Sequence, residues 1–288
     1  MMPSMGIVSP DVFSRRGFLL KSALGAGALS VLHGTPLGLP IGCQTYPVRE
    51  MLGKDFDGTL KELAAIGYKT IEMCSPPGYE KSGFGSLMGI KASELKKRIH
   101  AAGLGCESCH YQFSEMKDSL DERMAFAKEL GLKQMIVSTF ALPRTATMAD
   151  WVRAAGELNK IGEKTKKSGL QTGFHNHAFE FNKLDGVLIY DKLLSELDAD
   201  LVKMQFQVSV ISQGYEAATY FEKYPGRFCS IHLQDWSKEK GMVAIGQGAV
   251  DWKKLFSTAK KAGVKNYYVE VNLDLMKASY PYLRDLKV

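Results

Sequence analysis

Cysteine and histidine are scarce in this chain, five and six among 288 residues, and what that excludes is informative. An odd set of cysteines (Cys43, Cys74, Cys106, Cys109 and Cys229) cannot close a complete disulfide framework. Cys106 and Cys109 have the C-x-x-C spacing of redox and zinc motifs. The run around them reads as a strand, however, where residues three apart point to opposite faces, so they read as small buried hydrophobes. There is no zincin-type helix and no cysteine cluster for a metal. No glycine-rich phosphate loop follows the first strand candidate, Gly42-Cys43-Gln44-Thr45-Tyr46, which removes the main support for a doubly wound nucleotide-binding sheet. Beyond the N-terminus, no run approaches the ~18 apolar residues of a membrane span. Blocks of one charge are also missing. The formal charge of +6 falls to +4 without residues 1–39, and the remaining lysines are scattered over helix faces, so no nucleic-acid partner is expected.

What is present begins with an address. Ser14-Arg15-Arg16-Gly17-Phe18-Leu19 precedes a short, weakly hydrophobic Gly/Ala-rich run to Leu32. Paired arginines before such a run resemble a twin-arginine signal, so residues 1–39 are expected to be an export leader and residues 40–288 one soluble domain. The expected location is periplasmic, or otherwise exported by that route, with no stable membrane insertion once the leader is gone. Homo-oligomerisation is left open.

From residue 40 the chain repeats a β-rich run, a polar turn and a helical stretch. Strands are expected at 41–46, 70–74, 106–112, 135–140, 172–177, 202–208, 228–234 and 267–272. Helical patterns lie between them, at 56–66, 92–102, 120–130, 148–168, 190–196, 215–223 and 252–262, with a last one at 275–286. Gly67, Gly103, Gly131, Gly169 and Gly263 each follow a helix just before the next strand, the place of a left-handed helix cap. Eight such units with right-handed crossovers predict an α/β fold, a (β/α)8 TIM barrel.

In such a barrel, polar lumen residues at the C-terminal ends of strands read as site residues. His175 and His177 share one face of the fifth strand, and burying two imidazoles together requires partners. His232 and Gln234 face the same way on the seventh strand, and Gln207 does so on the sixth. On the eighth, Glu270 and Asn272 flank Val271. His175, Gln207, His232 and Glu270 form a donor set for one divalent ion, with Mn²⁺, Co²⁺ or Zn²⁺ suiting its mixed nitrogen and oxygen character. Glu72, His110, Gln44 and Tyr46 supply further polar ends from strands one to three. Lys203 falls at the opposite, N-terminal end and reads as structural.

At this point the sequence resembles the xylose isomerase-like TIM-barrel family of sugar phosphate isomerases and epimerases, over about residues 40–272. The resemblance rests on Gly173-Phe174-His175-Asn176-His177-Ala178-Phe179-Glu180-Phe181, Lys223-Tyr224-Pro225-Gly226-Arg227-Phe228, Ile231-His232-Leu233-Gln234-Asp235-Trp236 and Gly246-Gln247-Gly248-Ala249-Val250-Asp251-Trp252. It implies a metal held by Glu, Asp, His and Glu on strands five to eight. Here those positions carry His175, Gln207, His232 and Glu270, so His replaces Glu and Gln replaces Asp. The lost charge should weaken metal binding, and the family's two-glutamate proton relay keeps only Glu270. The His-Asn-His strand end is similar to that of an exported subgroup associated with 3-keto-glycosides.

The expected chemistry is removal of a proton next to a carbonyl of a small sugar or keto-glycoside. Sugar isomerisation or epimerisation is the expected outcome, with lysis or hydration of a 3-keto-glycoside as the alternative on the same barrel; a non-catalytic sugar-binding protein is the competing class. Glu270, His177 and His110 are the acid–base candidates. Glu72 and Glu180 are expected to bind hydroxyls or orient imidazoles, with Gln44, Tyr46 and Asn272 also at the substrate.

Overall fold

The structure is a computed structural model that describes residues 35–288. The expected leader lies outside the described residues, except for 35–39, which carry a short turn at Pro36–Gly38. Among the described residues, no helix is long and apolar enough to cross a membrane.

Eight parallel strands close into a barrel. They are β1 (Gly42–Gln44), β2 (Thr70–Cys74), β3 (Gly105–Tyr111), β4 (Gln134–Val137), β5 (Gln171–His175), β6 (Val202–Gln207), β7 (Phe228–Leu233) and β8 (Asn266–Val269). The outer helices are α1 (Phe56–Ile66), α2 (Ala92–Ala101), α3 (Leu120–Leu130), α4 (Met148–Lys167), α5 (Ile189–Glu196), α6 (Ala217–Lys223), α7 (Trp252–Lys261) and α8 (Leu273–Asp285). β1 pairs with both β2 and β8, which closes the ring and excludes an open sheet. Helices form where apolar residues recur on one face. In α1, Phe56, Leu60 and Leu63 are buried, and Asp55 caps the N-terminus by accepting from the Gly58 amide at 2.9 Å. The five expected cap glycines all have positive φ, from 76° to 125°.

Several strands end earlier than their sequence suggests. β5 stops at His175 because residues 178–181 tighten into a 3₁₀ turn, and β8 stops at Val269 because Asn272 caps α8. Cys106 and Cys109 also differ from expectation. β3 carries an extra residue opposite the Ile71–Glu72 step, so Cys106 pairs with Ile71 and Cys109 with Met73. That bulge sets both thiols on the face of Ile71 and Met73, and burial pushes both pKa values up. All five cysteines are free and buried.

Candidate active site

The site is built upward from β2. The Glu72 carboxylate is fully buried and both its oxygens are filled. Oε1 accepts from Ser108 Oγ at 2.5 Å and Gln205 Nε2 at 2.8 Å. Oε2 accepts from Gln44 Nε2 at 3.0 Å and His232 Nε2 at 2.5 Å, with His110 Nε2 3.2 Å away. Burial opposes its charge, but the imidazoles of His110 and His232 outweigh burial and hold it well below the usual range. Gln44 and Glu72 therefore make the floor, and neither has a face left for a ligand. Gln205 is a hub that the strand pattern left unnoticed. Besides Glu72, it bonds Ser230 Oγ at 2.8 Å and His110 Nε2 at 2.6 Å. Its parity with Gln207 was the available signal.

Three imidazoles lie above this floor. One nitrogen each of His110, His175 and His232 lie within 4.8 Å of one another. His110 thus joins His175 and His232 in the cluster. His232 is held from both sides, with Nδ1 3.0 Å from Glu270 Oε2. Burial works against a charged His232, yet Glu270 and Glu72 together lift its pKa to about 10. Glu270 is conversely held below its usual range, since His232 outweighs the effect of burial. The same Glu270 oxygen receives Gln207 Nε2 at 2.5 Å and Gln234 Nε2 at 3.3 Å.

The chemistry of these donors suits a divalent ion, although the nitrogens that converge within 4.8 Å are those of His110, His175 and His232, with Gln207 and Glu270 grouped on the Nδ1 side of His232. His232 presents Nδ1 toward Glu270 while Glu72 fixes Nε2, the carboxylate–histidine arrangement that orients a metal-binding imidazole. His175 Nδ1 is buried without a partner. A half-turn of the Gln207 amide would present its oxygen beside Glu270. His175, Gln207, His232 and Glu270 would hold the ion, which would compete with a proton for His232 Nδ1.

Two acid–base atoms remain open. The Glu270 side chain is 15% exposed, and Oε1 makes no hydrogen bond among the described residues. His177, half-buried, has Nδ1 buried and unpartnered, leaving Nε2 as the nitrogen that can meet a ligand. Burial pushes its pKa down to about 4, so the ring is neutral at pH 7. Glu180 fixes this residue from behind, with Oε2 accepting from the His177 amide at 2.7 Å. Glu180 is itself buried, and burial lifts its pKa to about 8.

Other expected residues stand further out. The Tyr46 ring packs edge-on against Tyr79 at 5.9 Å and lies under the Arg49 guanidinium at 4.3 Å. Asn272 is exposed, and its Oδ1 caps α8 by accepting from Leu275 N at 3.0 Å, which accounts for the residue without a substrate.

Asp235, next to Gln234, holds the loop over β7. Oδ2 accepts from Gly246 N at 2.9 Å, Gly248 N at 3.0 Å and Trp252 Nε1 at 2.9 Å. Oδ1 accepts from Trp236 N at 2.9 Å and Val250 N at 3.3 Å. A Cβ on Gly248 would lie 2.1 Å from Asp235 Oδ1, so only glycine fits there. This network explains the spacing from Asp235 to Trp252.

Comparison with known proteins decides the family. The profile of the xylose isomerase-like TIM barrel family matches residues 60–279. The chain belongs to this family. Within it, an inosose dehydratase of Lacticaseibacillus casei is 21% identical over 275 residues, covering 83% of this chain and 90% of that protein. The crystal structure of a sugar phosphate isomerase/epimerase from Parabacteroides distasonis is 27% identical with a TM-score of 0.71, covering 85% of this chain and 93% of that one. A zinc-bound IolI protein, 13% identical, shares the fold with a TM-score of 0.62 over 85% of this chain and 94% of its own.

Proposed function

We propose that this xylose isomerase-like barrel is a metal-dependent carbon–oxygen lyase acting on a keto-sugar or keto-glycoside in the exported compartment its leader addresses. The observation that carries this reading is the pair of open atoms, His177 Nε2 and Glu270 Oε1, above a floor whose polar groups are otherwise saturated. A divalent ion held by His175, Gln207, His232 and Glu270 would polarise the ketone as a Lewis acid. His177 is the base in this reading because Glu270 would be engaged on the ion. Its imidazole is unprotonated at neutral pH and its Nε2 is open, whereas Glu270 Oε2 already receives His232, Gln207 and Gln234. Nε2 takes the proton from the carbon next to the ketone, and the C–H electrons become the enolate double bond. The enolate then re-forms the ketone and expels the oxygen substituent on the far carbon, which takes the proton back from Nε2. The products are an enone and water or an alcohol, and His177 returns to its resting form. Glu180 keeps the imidazole in place through the His177 backbone. The dehydratase relatives support elimination.

A second reading is epimerisation, favoured by the likeness to the Parabacteroides structure. Glu270 Oε1 would then act as the second acid–base atom. Ultraviolet absorbance and NMR of a keto-glycoside incubated with the protein separate the two. An enone with release of the substituent supports the lyase. An inverted carbon with no enone selects the epimerase, and no change in any keto-sugar leaves a binding protein.

A further inference from the structure

One wall of the site is a run of rings leading outward. His232 and His175 have centroids 4.5 Å apart, His175 and His177 4.8 Å, and His177 and Phe179 5.3 Å. The last two rings are nearly parallel, with an interplanar angle of 8°. Phe179 is braced from behind by Trp151 at 6.3 Å, and Trp151 by Phe140 at 6.1 Å. Trp151 is buried, yet Phe179 is 42% exposed. What singles this ring out is its place, stacked on an acid–base residue at the open end of the site, where it can contact a molecule that reaches His177. Rings attract flat apolar faces, and sugar or aryl rings present such faces. The wall offers ring faces and imidazole edges.

We infer that Phe179 is the platform of an outer ring subsite, so the preferred substrate is a two-ring keto-glycoside whose aglycone or second sugar rests on Phe179 while the keto ring reacts beside His177. This rests on the reading of the site given above and adds which part of the substrate gives specificity. Elimination would then release the second ring as an alcohol.

The test is calorimetric binding of inert probes, phenyl β-D-glucopyranoside, cellobiose and methyl β-D-glucopyranoside, to the full chain and to Phe179→Ala. The phenyl glycoside or cellobiose should bind about fivefold more tightly than the methyl glycoside, the size of one aromatic contact. That advantage should vanish in Phe179→Ala and return in Phe179→Trp. Which of the two probes shows it tells an aryl ring from a sugar ring. An equal advantage in Phe179→Ala, or none in the unaltered protein, including no binding of any probe, overturns the platform. Deuterium exchange into keto-sugars, measured alongside, keeps the two readings apart. Ring preference without exchange removes the lyase but keeps the platform, and exchange without ring preference does the opposite.

Discussion

The two ends of the barrel contrast sharply in how their polar groups are satisfied. The N-terminal end holds a cavity of about 780 Å³ lined by Lys133, Gln134, Lys203 and Lys265 among others. Its lysines are largely spoken for, with Lys203 Nζ bonding the Gly226 carbonyl at 2.8 Å and Lys133 pairing with Glu107 at 2.6 Å. The C-terminal end carries the more unfinished chemistry. Of the eight buried side-chain polar atoms without a partner among the described residues, four belong to His175, Asn176, His177 and Glu180. Unsatisfied polar atoms beside matched charges mark the chemistry, because burying them without a partner costs stability that a ligand can restore.

Variants at the two ends should differ by orders of magnitude. His177→Ala is expected to lower kcat by about 10³-fold, the range of a lost general base, with circular dichroism unchanged. Glu270→Gln should lose turnover as completely and also lose bound metal by elemental analysis, since it removes one of the site's charges. If either variant kept full activity, the contrast between the ends would collapse.

A smaller effect is expected at Asp235, which sits beside the site but works only through structure. Asp235→Ala strands five donors, of which the Trp252 indole N–H is buried, and should cost about 1–3 kcal/mol in urea unfolding. Glu180 sharpens the contrast through pH. Its folded pKa of about 8 lies above its unfolded value, so its contribution to stability is complete below about pH 4.5 and is lost as pH rises through 8. Relative to Glu180→Gln, the unaltered protein should lose roughly 1.4 kcal/mol per pH unit between pH 5 and 8. A flat difference would mean that the Glu180 carboxyl is ionised in the fold. At the opposite end, Lys203→Met should change kcat less than twofold and stability by under about 1 kcal/mol.

Much of the fold was legible because its signals are local. Strand alternation and the five cap glycines each follow from the backbone conformation of single residues, and α1 and α3 fall on their expected bounds. What was hidden depends on contacts distant in sequence. The bulge that turns Cys106 and Cys109 to one face exists only in the pairing of β3 with β2. The polarity of His175, His232 and Glu270 marked them from their strand positions, but nothing in those runs reveals Glu72 as the floor or Gln205 as a hub. Those roles appear only when β2, β3, β6 and β7 meet. Asn272 illustrates the converse. Its polarity at a strand end suggested a ligand, while its position one residue before a helix suits a cap equally well.

The central claim is that one proton leaves the carbon beside a ketone at this mouth, carried by His177. Deuterium uptake from heavy water into a keto-glycoside, followed by NMR, tests it directly. Uptake at that carbon in the unaltered protein, abolished in His177→Ala and retained in Lys203→Met, is the predicted result. Undiminished uptake in His177→Ala would contradict it.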